Sequence, residues 1–178
     1  MNKPLFLLLA GSLLMTAPTW AADGDWDRAK TAHERGDYAA ELAIVRPLAE
    51  QGVPFAQFNL GVLYDNGHGL PEDNALAMQW YRKAAEQGLP QAQVNLAIMY
   101  EEGEGAPPDY AQAYFWYALA DAQGDGQAPQ AKQDVMKKMS PAQIGVAEQR
   151  VKEFKAKHPF RIPPLPAPDS GTPHGGNN

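Results

Sequence analysis

The sequence predicts an all-α fold, a short α-solenoid of stacked helical hairpins, on three observations. The first is internal repetition: residues 53–88 laid over 89–124 without a gap agree at 17 of 36 positions. Self-similarity at such a period marks an array of supersecondary units, each too small to bury its own apolar face. The second is the kind of residue that recurs. Ala56 and Ala92, Leu60 and Leu96, Tyr64 and Tyr100, Trp80 and Trp116, and Tyr81 and Tyr117 are small, aliphatic or aromatic pairs, while charged positions drift. Packing is thereby preserved and the surface left free to vary. The third is punctuation, with prolines, glycines and aspartates at matching points where helices start and stop.

In chain order, Lys3, the apolar run from Leu5 to Met15 and the small residues Thr19 and Ala21 read as a secretory signal peptide over 1–21, cut after Ala21 or Ala22. The run is shorter than the roughly 18 apolar residues of a spanning helix. With no cysteine in the chain, neither lipid attachment nor a disulfide framework is available. A soluble periplasmic or secreted protein is expected, with no membrane insertion after cleavage.

The solenoid is expected over 22–157 and opens with a hairpin over 22–52. A short helix around Trp26–Arg35 leads to a second helix that starts at Asp37, ends at Gly52 and is expected to kink at Pro47. In the repeats 53–88 and 89–124, Pro54 and Pro90 suit a first helical turn. The glycine pairs Gly67 with Gly69 and Gly103 with Gly105 end the first helices. Asp73 and Asp109 cap the second helices, Asp109 with Gln112 as a capping box. Gly88 and Gly124 then suit the left-handed position beyond a helix C-terminus.

A capping hairpin follows over 125–157. Ala128, Ala131, Val135 and Met139 form its apolar stripe. In "MSPAQI", Ser140 is the N-cap, Pro141 the first helical residue, Gln143 the box partner, and Met139 with Ile144 the hydrophobic staple. The last helix is expected to bury Ile144, Ala147, Val151 and Phe154 and to end in Lys155 and Lys157, where cations suit the helix dipole. Residues 158–178, dense in Pro and Gly, read as a disordered tail.

The pattern A-x-x-x-L-G/A-x-x-Y-x-x-G-x-G, then P-x-D, then A-x-x-W-Y-x-x-A-x-x-Q-G runs from Ala56 to Gly88 and again from Ala92 to Gly124. It resembles Sel1-like repeats, relatives of tetratricopeptide repeats, and the segments "GDYAAELAIVRPLAEQG" and "MSPAQIGVAEQRVKEF" resemble the ends of exported bacterial members. The resemblance implies a right-handed α-solenoid that binds proteins, with roles in signalling, envelope regulation, or contact with hosts and rival cells. One departure is Ala97 where Gly61 fills the usual glycine position, expected to space those helices slightly wider.

Residues for chemistry are sparse. Beyond the signal peptide the serines are Ser140, used as a cap, and Ser170 in the tail; no S-x-x-K occurs. His33, His68, His158 and His174 lack the i, i+4 spacing of a helical zinc site, and "DNGHGLPED" lacks the ligand spacing of a calcium loop. Glu101, Glu102 and Glu104 lie in a glycine-rich and hence exposed loop, without the opposed environments of a catalytic carboxylate pair. Trp80 and Trp116, in strict repeat register, read as packing elements. No catalytic residue, cofactor or metal is therefore assigned, and the expected function is a non-enzymatic adaptor, scaffold or regulator of the cell envelope. An inhibitor or immunity protein masking a toxic enzyme is the alternative. A peptidoglycan-directed or β-lactamase-like hydrolase would need nucleophiles that are scarce here.

Charge narrows the partner. Residues 22–131 carry 6 Lys and Arg against 17 Asp and Glu, and residues 132–178 carry 8 against 4. An acidic body repels nucleic acid and anionic lipid and steers a basic protein or peptide toward it, while the same negative balance equally reads as what keeps an exported protein soluble. A monomer is expected. The candidate binding stripe on the first helices is Phe55, Phe58, Asn59, Val62 and Asn66, repeated as Gln91, Val94, Asn95, Ile98 and Glu102. Its spacing follows one helical face. The tetratricopeptide likeness implies that this face is concave, with the two asparagines clamping a backbone and the variable residues reading side chains. Packing of Phe58 and Val62 between helices is the competing reading.

Overall fold

Local backbone chemistry sets each boundary of the fold. The computed structural model describes residues 24–158, and among them are eight helices: α1 (Asp25–Glu34), α2 (Tyr38–Glu50), α3 (Pro54–Asn66), α4 (Asn74–Glu86), α5 (Pro90–Glu102), α6 (Tyr110–Asp121), α7 (Ala128–Met136) and α8 (Pro141–Lys157). The expected signal peptide and nearly all of the expected tail lie outside the described residues.

Asp37 accepts a hydrogen bond from the Ala40 N–H and Asp73 one from the Leu76 N–H, each closing an orphan donor of a helix start. Ser140 forms the full capping box: its hydroxyl accepts from the Gln143 N–H, and its own N–H donates to Gln143 Oε1 at 2.8 Å. The box expected at Asp109 forms only in its forward half, with Asp109 accepting from the Ala111 and Gln112 N–H groups. Its own N–H already donates to the Tyr100 carbonyl at 2.8 Å, so Gln112 has no donor to reach. Pro47 does not break α2, which runs on to Glu50. The proline forfeits the bond its missing N–H would have made one turn back.

The principal packing joins chain neighbours from α1 with α2 through to α6 with α7, and α8 returns to α6. One apolar cluster is centred on Ala29, Val45, Ala49, Ala56, Leu60 and Leu63; a larger one runs from Ala77 to Ala147. In α6 the buried residues include every position from Ala113 to Tyr117, because α8 covers a face that would otherwise meet water. Only Ala147 of α8 is fully enclosed; Ile144, Val151 and Phe154, expected to be buried, are half-buried at the open end of the stack.

Identical positions tie the repeats together. Buried Gln57 donates to the Ala49 carbonyl at 3.2 Å and accepts from Gln87 Nε2 at 2.7 Å. Thirty-six residues on, buried Gln93 donates to the Ala85 carbonyl at 3.1 Å and accepts from Gln123 Nε2 at 2.8 Å. Gly105, at φ +71°, lies so close to the start of α4 that a Cβ would sit 2.5 Å from the Asn74 carbonyl oxygen. At Gly61 a Cβ would meet the Tyr81 ring at 2.6 Å, whereas Ala97 is accommodated, fully buried, in the next hairpin.

Candidate partner-binding face

Helix α1 contributes Trp26, Lys30 and His33, α2 contributes Glu41, and α3 contributes Phe58, Asn59 and Val62 to one hollow of about 400 Å³. The α1 residues share a helical face, as do those of α3. Trp26 meets Phe55 edge-on at 6.1 Å between ring centres, and Phe58 leans on Tyr81 at 5.7 Å. Glu41 is only 3% exposed. Its Oε2 lies 2.9 Å from His33 Nδ1, and that histidine is half-exposed.

The expected stripe divides. Phe58, Asn59 and Val62 enter the hollow and Phe55 packs against its Trp26 wall. Asn66 donates to the Val62 carbonyl of its own helix. On α5, Gln91 and Glu102 are exposed, and Asn95 and Ile98 are half-buried. Val94 departs from the expectation of an open face: it is buried in the larger apolar cluster and has no surface to offer a partner. The asparagines also have different surroundings. Asn59 lines the hollow, whereas Asn95 hydrogen-bonds the Tyr81 hydroxyl, which donates to Asp65 at 3.0 Å. Burial first, and then the Asp65 carboxylate, raise the Tyr81 hydroxyl above the ordinary tyrosine range. Tyr117 repeats the theme: burial and then Glu101 raise it, and its hydroxyl donates to Glu101 at 3.2 Å.

Residues 54–89 and 90–125 match the Sel1 repeat family. The chain carries two Sel1 repeats. Among solved structures it is similar, at 29% identity and a TM-score of 0.72, to a protective antigen present in uropathogenic Escherichia coli strains that displays an SLR fold. That likeness covers 79% of this chain and 31% of the antigen. A Sel1 repeat protein from Oxalobacter formigenes is 34% identical with a TM-score of 0.56, over 58% of this chain and 43% of that one. The chain thus spans less than half the length of either. A search of the curated proteins returns no match.

Sel1 repeats generally mediate protein–protein interaction and are generally non-catalytic. Each matched Sel1 unit starts at the proline of a first helix, Pro54 or Pro90, one residue after the start of the repeats 53–88 and 89–124. The part of the hollow outside these repeats escaped the sequence. Nothing in the repeat spacing marks Trp26, Lys30 or Glu41, and His33 lacks the i, i+4 histidine partner that would mark it as a ligand. A signal was present: Glu41 falls one turn before Val45 and two before Ala49, on the apolar stripe of α2. Among the described residues no group of three or more His, Asp and Glu could hold a metal ion, and no helix is long and apolar enough to cross a membrane.

Proposed function

We propose that this chain is a non-enzymatic adaptor or regulator of the bacterial cell envelope, exported through residues 1–21, that holds a basic polypeptide partner against α1 and α3. The observation that carries this reading is the hollow itself. Three of the stripe residues, Phe58, Asn59 and Val62, meet α1 and Glu41 there, combining an apolar wall with polar groups as recognition surfaces do. The acidic balance of residues 22–131 favours encounter with a cationic partner.

The test is site-specific photocross-linking in the native envelope, with the reactive group at position 62 and, as a control, at exposed Gln79 on α4. A protein captured from 62 and not from 79, and bound at least tenfold more weakly after Phe58→Ala with Asn59→Ala, supports the reading. Equal capture from both positions, or undiminished binding by that variant, refutes it. Intact mass of the exported protein should place its first residue at Ala22 or Asp23.

A further inference from the structure

We infer that the hollow between α1 and α3 is a pocket for one arginine side chain of the partner. This inference rests on the binding face proposed above and adds the chemistry that it recognises. A carboxylate this deeply buried needs compensation for its lost hydration. Glu41 has half of it. Oε2 faces His33 Nδ1, and Oε1 takes no hydrogen bond from the described residues while its residue lines the hollow. Lys30, the cation on the wall, is exposed and its ammonium lies 3.9 Å from Glu34 Oε1 rather than on Glu41. A charged donor entering the hollow would complete the Glu41 shell.

The other walls select among donors. Trp26 and Phe58 offer aromatic surface, on which a guanidinium stacks while remaining charged. Asn59 adds an amide oxygen as a second acceptor. Arginine supplies donors on several edges of a planar, weakly hydrated cation, whereas lysine is a compact, strongly hydrated point charge that loses more on entering an aromatic-walled space. An uncharged side chain of similar length would leave Oε1 without a partner.

The experiment titrates isotopically labelled full-length protein with Nα-acetylarginine amide, Nα-acetyllysine amide and Nα-acetylnorleucine amide, following the Trp26 indole N–H and the His33 ring by NMR. Saturable shifts are expected with the arginine amide, at least fivefold weaker affinity for the lysine amide, and no saturation with the norleucine amide. Glu41→Gln should weaken arginine binding at least fivefold. Lys30→Ala, at an exposed position where folding is not at stake, should strengthen it at least twofold by removing a competing cation. Equal binding of the norleucine amide, equal binding of the lysine amide, or no response to Lys30→Ala overturns the assignment even if Glu41→Gln fails to fold. If position 62 still captures a specific partner while the arginine amide does not bind, the arginine pocket falls and the binding face stands. If the amide binds and position 62 captures nothing specific, the face falls instead.

Discussion

The glutamine bridge between the Sel1 repeats can be tested at Gln93, which is fully buried. Gln93→Leu keeps much of the volume and removes both bonds, to the Ala85 carbonyl and from Gln123 Nε2. Neither former partner is stranded: the Ala85 carbonyl still accepts the Gly88 N–H, and half-buried Gln123 reaches water. The loss is then about 1 kcal/mol per bond, or about 2 kcal/mol, before any gain from burying leucine. Gln123→Ala acts differently, because it leaves the buried Gln93 Oε1 without a partner, at about 1–3 kcal/mol. The double variant removes that stranded acceptor and should cost at least about 1 kcal/mol less than the sum of the single changes. Urea unfolding followed by tryptophan fluorescence measures all three. Additivity within about 0.3 kcal/mol would mean that Gln93 and Gln123 are not coupled across the α5–α6 hairpin, and that the Gln123 bond does nothing to hold Gln93 against the Ala85 carbonyl of the preceding repeat.

Three further outcomes follow from single sites. Gly105→Ala should cost about 2–4 kcal/mol, combining left-handed backbone strain with the clash against Asn74, while Gly36→Ala, at φ +70° with nothing within 4 Å of its Cβ, should cost about 1–2 kcal/mol from strain alone; thermal unfolding of the pair isolates the inter-repeat contact. Ser140→Ala should cost about 1 kcal/mol by opening the capping box, with partner affinity of the folded protein unchanged, as calorimetry and a binding titration would show. Desolvation and then the carboxylates of Glu102, Asp65 and Glu72 raise Glu104 above its usual range; its charged form is therefore disfavoured in the fold, and the strain is relieved as pH falls below the folded value. Glu104→Gln should accordingly raise the melting midpoint at pH 7, with the gain vanishing toward pH 3, below the ordinary glutamate value of about 4.3.

What the sequence disclosed was chemistry that closes within a few residues. Ser140 with Gln143 and Asp73 with the Leu76 N–H are decided inside one helical turn, so spacing alone reveals them. The box at Asp109 failed because its N–H is spent on Tyr100, nine residues earlier across the glycine turn, and a local pattern contains no record of that bond. Gln57 and Gln93 are identical in the repeats, yet a glutamine reads as surface until a facing carbonyl and a second glutamine are in place. The burial of α6 depends on where α8 returns, and the hollow depends on α1, whose register with α3 no pairwise repeat comparison supplies.

Glu41 then separates what the array needs from what this chain adds to it. The ties between hairpins use positions that recur, Gln57 with Gln93 and Gly69 with Gly105, as do the hydroxyl bonds inside each hairpin at Tyr81 and Tyr117. The residues thirty-six and seventy-two positions after Glu41 are Ala77 and Ala113, both fully buried. The array itself therefore asks for alanine there, and the carboxylate is present only in the first hairpin. Glu41→Ala restores the residue of the other two hairpins. It deletes a buried charge, leaves half-exposed His33 to water, and opens space continuous with the hollow rather than a sealed cavity. Stability should stay within about 1 kcal/mol of the parent, because the partner left behind, His33, is half-exposed and no uncompensated charge remains buried. A loss of about 3 kcal/mol or more in urea unfolding would instead make Glu41 a structural member of the α1–α2 packing. An unchanged fold would leave recognition as the reason for its burial, and would fix a single point along the solenoid at which a cationic partner sets its register.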